Sequence, residues 1–476
     1  MKSFDMRLRV IIGVCSIVGI IFGAFPAKSM LAFGWSAPLS LSGSNPAWFP
    51  KMVADKAGYV HVMWGEWVGS GLPSVQAANT IFYRYWDGFN WSEPIDTFAS
   101  STTIYLDDLE VTEDGQLVAA WGDDLYFYLS YVSIGDAARV TAWKTTKYLP
   151  DTSVVNAKIA ISPVNNRIYL SYGALNKIFL TSTLDGLTWE PVQTIWTSTN
   201  SSIAVTNGDI MVNEDGRVKL SFTENSVGKS WGGAAIWYTD FDPLTGNTQM
   251  REILRLDSPS SPTLGWPRLA SNQMGQEMMF WNNGVGSLTG RFFQISDDDG
   301  QNWGTVRNAF VGELSGQTGF PALAADSLGR FHLITSAQTP SGITQLCYAV
   351  WDGREWSSYT PLWPELRGEH PALVVTGGNL LHVVWNSYAD ASIRYSSLLL
   401  DTPYLPPGSY QSPSVLEITS TPPPMTASPT PTPLLLLSDS APVILGAEAQ
   451  MAILLWGGLP VVVLIGILMI AYLRKR

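Results

Sequence analysis

Short apolar runs, broken by Gly, Asn, Asp or Pro, recur along this chain in a fixed order. The two clearest copies are Pro50-Lys51-Met52-Val53-Ala54-Asp55, leading through Gly58 to His61-Val62-Met63-Trp64, and Pro371-Ala372-Leu373-Val374-Val375, leading through Gly377 to His382-Val383-Val384-Trp385. Equivalent turns fall at Gly58, Gly115, Asn166, Gly216, Gly275, Gly329 and Gly377, about 48 to 59 residues apart, a period expected of repeat architectures. The first unit predicts strands at Met52–Ala54, Tyr59–Trp64, Ile81–Trp86 and Trp91–Ile95, because each run is rich in β-branched and aromatic residues and bounded by turn formers. No stretch of helical period lies between them. Four-stranded antiparallel units repeated radially make an all-β fold, a β-propeller, with seven blades and six as the alternative count. The last unit, after Ile393–Leu398, runs into proline-rich sequence without a fourth strand. Gly34-Trp35-Ser36-Ala37-Pro38, ahead of the first unit, imitates Asn90-Trp91-Ser92-Glu93-Pro94. The N-terminal segment is therefore expected to complete the last blade, and the propeller to occupy residues 34–400.

A second repeated motif lies between third and fourth strands, as Asp87-Gly88-Phe89-Asn90-Trp91, Asp185-Gly186-Leu187-Thr188-Trp189, Asp299-Gly300-Gln301-Asn302-Trp303 and Asp352-Gly353-Arg354-Glu355-Trp356. Asp bonds the turn backbone, Gly supplies positive φ and Trp packs between blades. The segment from Ser296 through Asp298 and Gly300 to Trp303 resembles the complete Asp-box, Ser-x-Asp-x-Gly-x-x-Trp, of sialidase-like (BNR-repeat) propellers. Ser182 to Trp189 is similar, with Leu184 where the family has Asp. The resemblance implies that Ser296, Asp298, Gly300, Trp303, Asp185, Gly186 and Trp189 are structural residues of the blade rim. For a sialidase it would further imply an arginine triad, a Tyr-Glu nucleophile and an acid/base Asp announced by an Arg-x-Pro motif. No Phe-Arg-Ile-Pro or Tyr-Arg-Ile-Pro segment is present, and Arg84, Arg217, Arg330 and Arg394 fall in turns or third strands. Catalytic residues are accordingly left unassigned. Trp86-Asp87 and Trp351-Asp352 lack the preceding Gly-His pair of WD repeats.

The flanks predict where the domain works. Lys2, Arg7 and Arg9 precede the uncharged run Val10–Phe25, and Ala27-Lys28-Ser29 offers small residues for cleavage, so residues 1–29 read as a signal peptide, with an uncleaved anchor as the alternative. Residues 401–445 are rich in Pro, Ser and Thr and read as an extended stalk. Residues 451–473 carry no charge and are followed by Arg474-Lys475-Arg476, which reads as one transmembrane helix with a basic cytoplasmic tail over 474–476. The expectation is a single-pass protein of the cell membrane with its N-terminal domain outside.

A formal charge of −12 and a pI near 4.8 exclude a basic nucleic-acid footprint. Two Cys, Cys15 and Cys347, leave no disulfide once Cys15 is cleaved off, and the four His show no zinc spacing. No cofactor is expected; structural calcium at Asp107-Asp108, Asp123-Asp124 or Asp297-Asp298-Asp299 is the alternative to solvated turns. In a propeller, second-strand exits and first-strand entrances gather at one mouth. Those positions nominate Glu66, Trp67, Asp108, Asp123, Glu224, Trp266, Arg268, Asn282, His370, Asn386 and Tyr388 as ligand-binding residues. Aromatic rings beside carboxylates and amides suit a sugar, whose C–H faces stack while its hydroxyls take hydrogen bonds. The expected partner is an extracellular glycan or glycoprotein. A sialidase-like glycoside hydrolase and a structural or adhesive protein-binding ectodomain are the alternatives.

Overall fold

The computed structural model describes residues 34–69, 76–148, 155–225, 233–256, 264–283, 290–310, 321–338 and 344–408. These residues form antiparallel sheets with almost no helix. Ala47–Ala54 pairs with Val60–Glu66, which pairs with Ala78–Trp86. The next strand, Ile95–Val111, is continuous: its first half pairs back to Ala78–Trp86 and its second half opens the following unit by pairing with Gln116–Asp123. The fourth strand of the first unit thus starts at Ile95, not Trp91, which makes only an isolated bridge to Trp86. The same up-and-down order recurs through Val155–Ile161, Val205–Val212, Leu264–Ser271, Ala322–Ala325 and Gly368–Thr376, each the first strand of its group. These first strands neighbour one another in sequence, and Gly368–Thr376 returns to Ala47–Ala54.

The circle is closed across the two ends of the domain. Leu39–Ser40 adds to Ser392–Leu399, with Leu39 opposite Tyr395 and Ser40 opposite Arg394, and Trp35 bridges Leu398. Ser36 N–H donates to Ser397 O at 2.8 Å and Leu41 N–H to Ile393 O at 2.8 Å. Trp35 itself packs edge-on against Tyr348 and Trp363, so the closing segment is anchored by apolar burial as well as by the ladder.

Two repeated devices shape the strand ends. At the hairpins joining first and second strands, Asp55, Thr112, Asn213, Asn272 and Asp326 each accept from a backbone N–H four residues on, at 2.8 to 3.0 Å. Gly58, Gly115, Gly216, Gly275 and Gly329 take the positive φ that follows. Beneath the Asp55 and Asp326 hairpins, and beneath the hairpin that follows Thr376, lies a buried His, bonded at both ring nitrogens in His332 and His382 and at Nδ1 in His61, whose Nε2 faces Asp55 Oδ2 at 3.5 Å. His61 lies between Asp55 and Tyr83, His332 between Asp326 and Tyr348, and His382 between Thr376 and Tyr395. At the opposite ends the first strands are bulged. Register shifts fall between Trp48 and Lys51, Leu106 and Asp108, Asn207 and Asp209, Gly265 and Arg268, and Glu369 and Ala372. Pro50, Pro267 and Pro371 sit beside these bulges inside their strands and not at strand starts, because the interrupted ladder needs no N–H there.

Residues 401–408, read as the start of the stalk, lie against the hairpin face. Leu405 N–H donates to Gly377 O at 2.8 Å, Gly408 N–H to Lys56 O at 2.6 Å, and Ser327 Oγ to Pro403 O at 2.6 Å. The expected signal peptide, the transmembrane segment, the basic tail and the stalk beyond 408 lie outside the described residues. Among the described residues no helix is long and apolar enough to cross a membrane.

Candidate functional site

The bulges decide which side chains reach the mouth. An extra residue in a strand bends it and re-aims its neighbours, and here Phe49, Asn156, Trp266 and His370 adopt left-handed backbone with φ of 50° to 54°. They belong to four different first strands. The result is a cavity of about 210 Å³ walled by Trp48, Phe49, Tyr105 and Trp266, with Asn156, Asn207, Lys51, Asp107, Lys158 and Arg268 presenting polar atoms. Below it the central channel is lined by Pro50–Met52, Asp108–Glu110, Lys158, Ile159, Asp209, Ile210, Arg268, Leu269 and the apolar residues 321–323 and 371–373.

The channel carboxylates join neighbouring strands. Asp108 Oδ2 accepts from Ile159 N–H at 3.1 Å while its other oxygen faces Lys158 Nζ at 3.6 Å. Asp209 Oδ2 accepts from Leu269 N–H at 3.0 Å and its other oxygen takes Arg268 Nη1 at 3.2 Å. Lys158 Nζ also donates to Asp107 O at 3.2 Å. The Lys51 ammonium makes no hydrogen bond or ion pair to any described residue. Desolvation lowers its pKa to about 7, with Lys158 adding repulsion. Desolvation likewise raises Asp107 to about 7 and holds Glu110 well above the usual carboxyl range. His370, desolvated and close to Lys51, falls to about 3 and is neutral.

Trp266 and Arg268, named from sequence, line the cavity with Trp48, and Asp108 lies in the channel beneath. His370 packs on Phe49 with centroids 4.8 Å apart, and Tyr388 on Trp48 at 5.6 Å. Tyr388 also hydrogen-bonds Gln76 and Glu369. The second-strand exits are placed otherwise. Glu66 is buried, accepting from Trp64 Nε1 at 2.8 Å and Asn45 Nδ2 at 3.2 Å. Glu224 is buried, accepting from Trp237 Nε1 at 2.9 Å and Arg255 Nη2 at 2.7 Å. Asn386 is fully buried and its Oδ1 takes Phe49 N–H at 2.9 Å, so it pins the first bulge. Asn282 is buried and partnered. Asp123 caps its own turn through Leu125 and Tyr126 N–H, and half-buried Trp67 donates its backbone N–H to Pro46 O. Sequence reasoning missed Lys51, Phe49, Tyr105, Asn156, Lys158 and Asn207, because their approach depends on bulges that leave no mark in an apolar alternation.

On the rim, Ser296 Oγ donates to Asp298 Oδ1 at 2.8 Å and accepts from Gly300 N–H at 2.9 Å, and Asp298 Oδ1 accepts from Asn302 N–H at 2.7 Å. Gly300 has φ +77°, and a Cβ there would lie 2.2 Å from Tyr238 Oη. Trp303 packs edge-on to Tyr238 at 5.0 Å. In the second copy the roles fall one residue later than a Gly-anchored alignment suggests. Thr183 Oγ1 donates to Asp185 Oδ1 at 3.1 Å and accepts from Gly186 N–H at 3.0 Å, while Asp185 Oδ1 accepts from Leu187 and Thr188 N–H. The turn is a residue shorter, so Thr183 and not Ser182 stands in for the box serine, and Asp185 rather than Leu184 for its Asp. Trp189 leans on Tyr148 at 4.8 Å. Among the described residues no three His, Cys, Asp or Glu side chains converge as a cation site.

No family model and no curated protein matches this chain. Solved structures do. A polysaccharide lyase, an ulvan lyase solved with -[GlcA(1-4)Rha3S]-, aligns with a TM-score of 0.54 at 9% identity, covering 77% of this chain and 97% of its own. The BP39L lectin from Burkholderia pseudomallei aligns with 0.51 at 11% identity, covering 78% and 100%. The NanB sialidase from Streptococcus pneumoniae aligns with 0.44 at 13% identity, covering 79% and 71%. At such identities the likeness is one of fold, and the fold is of the β-propeller kind found among glycan-acting enzymes and lectins.

Proposed function

We propose that this protein is a carbohydrate-binding, sialidase-like β-propeller of seven blades, exported and held at the cell surface by its C-terminal apolar segment, with the mouth cavity as its glycan site. The observation that carries the reading is the cavity itself: five first strands bring aromatic rings (Trp48, Phe49, Tyr105, Trp266) and amides (Asn156, Asn207) around a volume of about 210 Å³. Such a lining stacks on sugar C–H faces and bonds sugar hydroxyls. The cycle of first strands, from Ala47–Ala54 to Gly368–Thr376, supports the blade count. The lectin and lyase neighbours lend the class of ligand as analogy. Binding is favoured over hydrolysis because Asp108 and Asp209 are each committed to a cation and a backbone N–H, away from the paired acid/base roles that glycoside cleavage requires. The test is a glycan array with the full-length protein in detergent micelles, beside the Trp48→Ala variant. Saturable binding to oligosaccharides that Trp48→Ala loses is the expected result. Binding that survives removal of both Trp48 and Trp266 would place the ligand elsewhere.

A further inference from the structure

The mouth and channel carry four carboxyl groups, on Asp107, Asp108, Glu110 and Asp209, against three cations, Lys51, Lys158 and Arg268, among the described residues. Their pairing matters more than their number. Lys158 faces Asp108 at 3.6 Å and Arg268 faces Asp209 at 3.2 Å, and each of those carboxylates is locked in place by an N–H of the adjacent first strand. A carboxylate or sulfate entering the cavity would have to compete with an acid already built into the wall. Lys51, the cation without such a partner, is flanked in the same cavity by Asp107, and Asp108 adds further negative potential around it.

From this matched inventory we infer that the site takes a neutral, hydroxyl-rich saccharide and discriminates against acidic sugars. The inference rests on the glycan reading above and narrows it. Desolvation drives Lys51 and Asp107 each towards its uncharged form, and a surface that disfavours its own charges disfavours an added one. Neutral hydroxyls, by contrast, find donors and acceptors in Asn156, Asn207, Asp107 and Lys51 while the aromatic walls take the ring faces. Specificity of this kind comes from repulsion against the wrong ligand as much as from attraction to the right one.

Matched ligands differing only in charge test it: methyl-esterified against free oligogalacturonate, and lactose against sialyllactose, titrated calorimetrically into the full-length protein in micelles at low salt. Wild type is expected to bind the neutral member of a pair at least about tenfold more tightly. Asp209→Asn keeps an oxygen for Leu269 N–H but removes the negative charge facing Arg268, and Asp108→Asn does the same for Ile159 N–H and Lys158. Each should narrow or reverse the preference through new, salt-sensitive binding of the acidic member, with melting curves showing that the fold is kept. A wild-type preference for the acidic member overturns the inference and leaves the glycan reading standing. Failure of every neutral and acidic ligand, on the array as well as in these titrations, overturns both.

Discussion

The hairpin face and the mouth are opposite ends of the same strands, and the repeat treats them differently. At the hairpins both backbone and chemistry recur. Asp55, Thr112, Asn213, Asn272 and Asp326 differ in side chain but make the same bond to the same N–H. At the mouth only the backbone recurs: the bulges repeat, and the left-handed positions they create hold Phe49, Asn156, Trp266 and His370. A position that keeps its hydrogen bond in every unit serves folding, whereas one that keeps its geometry and varies its chemistry is free to meet a ligand. The buried His groups fit the first kind. In the unit of Val218–Asn225, Lys219 occupies the corresponding place and bonds Glu277 beside Tyr238, a different chemistry for the same burial.

The largest effect that would break this division lies at the seam. Deleting residues 34–41 removes the ladder to Ser392–Leu399 and the Trp35 packing, leaving an open edge. The expected outcome is loss of a cooperative thermal transition and aggregation during purification. A deletion variant that melts like the parent would mean that the hydrogen-bonded closure is dispensable.

Next in size are the buried histidines. His382→Ala strands Thr376 Oγ1 and removes one partner of Tyr395 Oη in the core, and an unsatisfied buried polar group costs roughly 1–3 kcal/mol. Chemical denaturation should show a loss of that order with saccharide binding intact in the folded fraction. The two faces separate cleanly only if the converse holds: Trp266→Ala should weaken binding by about 1–3 kcal/mol and shift the melting temperature little, because its ring is half-buried at the mouth. Equal effects on binding and stability at both residues would dissolve the distinction.

How much of this was legible in the sequence follows the same line. Turn glycines, Asp-Gly-Trp rims and the imitation of Asn90-Trp91-Ser92 by the N-terminal Gly34-Trp35-Ser36 could be read because each motif needs a residue type that few others replace: positive φ at Gly58 or Gly300, an acceptor at Asp298, a large ring at Trp35. The bulges could not. Shifting a strand by one residue changes no residue type, so nothing in the apolar alternation marks Lys51 and Lys158 as residues of the mouth. The second-strand exits were placed from topology alone, which cannot register that the Trp64 and Trp237 indole N–H groups take Glu66 and Glu224 as buried acceptors. His61, His332 and His382 entered the sequence reading only as a test for zinc, because their Tyr partners lie on the next strand and the pairing is set by register.

The smallest predicted effect tests the rim by pH. Backbone N–H groups of Thr188 and Leu187 hold the Asp185 carboxyl at about 2, similar bonds lower Asp87 and Asp352, and the Asn302 side chain together with its backbone N–H lowers Asp298. In the unfolded chain these groups titrate near 3.9. A carboxyl whose pKa is depressed by folding contributes stability that is fully present above the unfolded value and disappears as the pH falls through the folded one. The rim turns should therefore weaken between about pH 4 and pH 2, while the caps at neutral pH stay intact. Asp185 is exposed, so the individual effect is small, but Asp185→Asn keeps an acceptor and removes the titration. Melting temperatures of the variant and wild type should converge as the pH is lowered through that window, with wild type the more stable above it. A variant that tracks wild type in parallel from pH 6 to pH 2 would show that the rim carboxylate acts by shape alone, and that the charge on Asp185 contributes nothing to the turn.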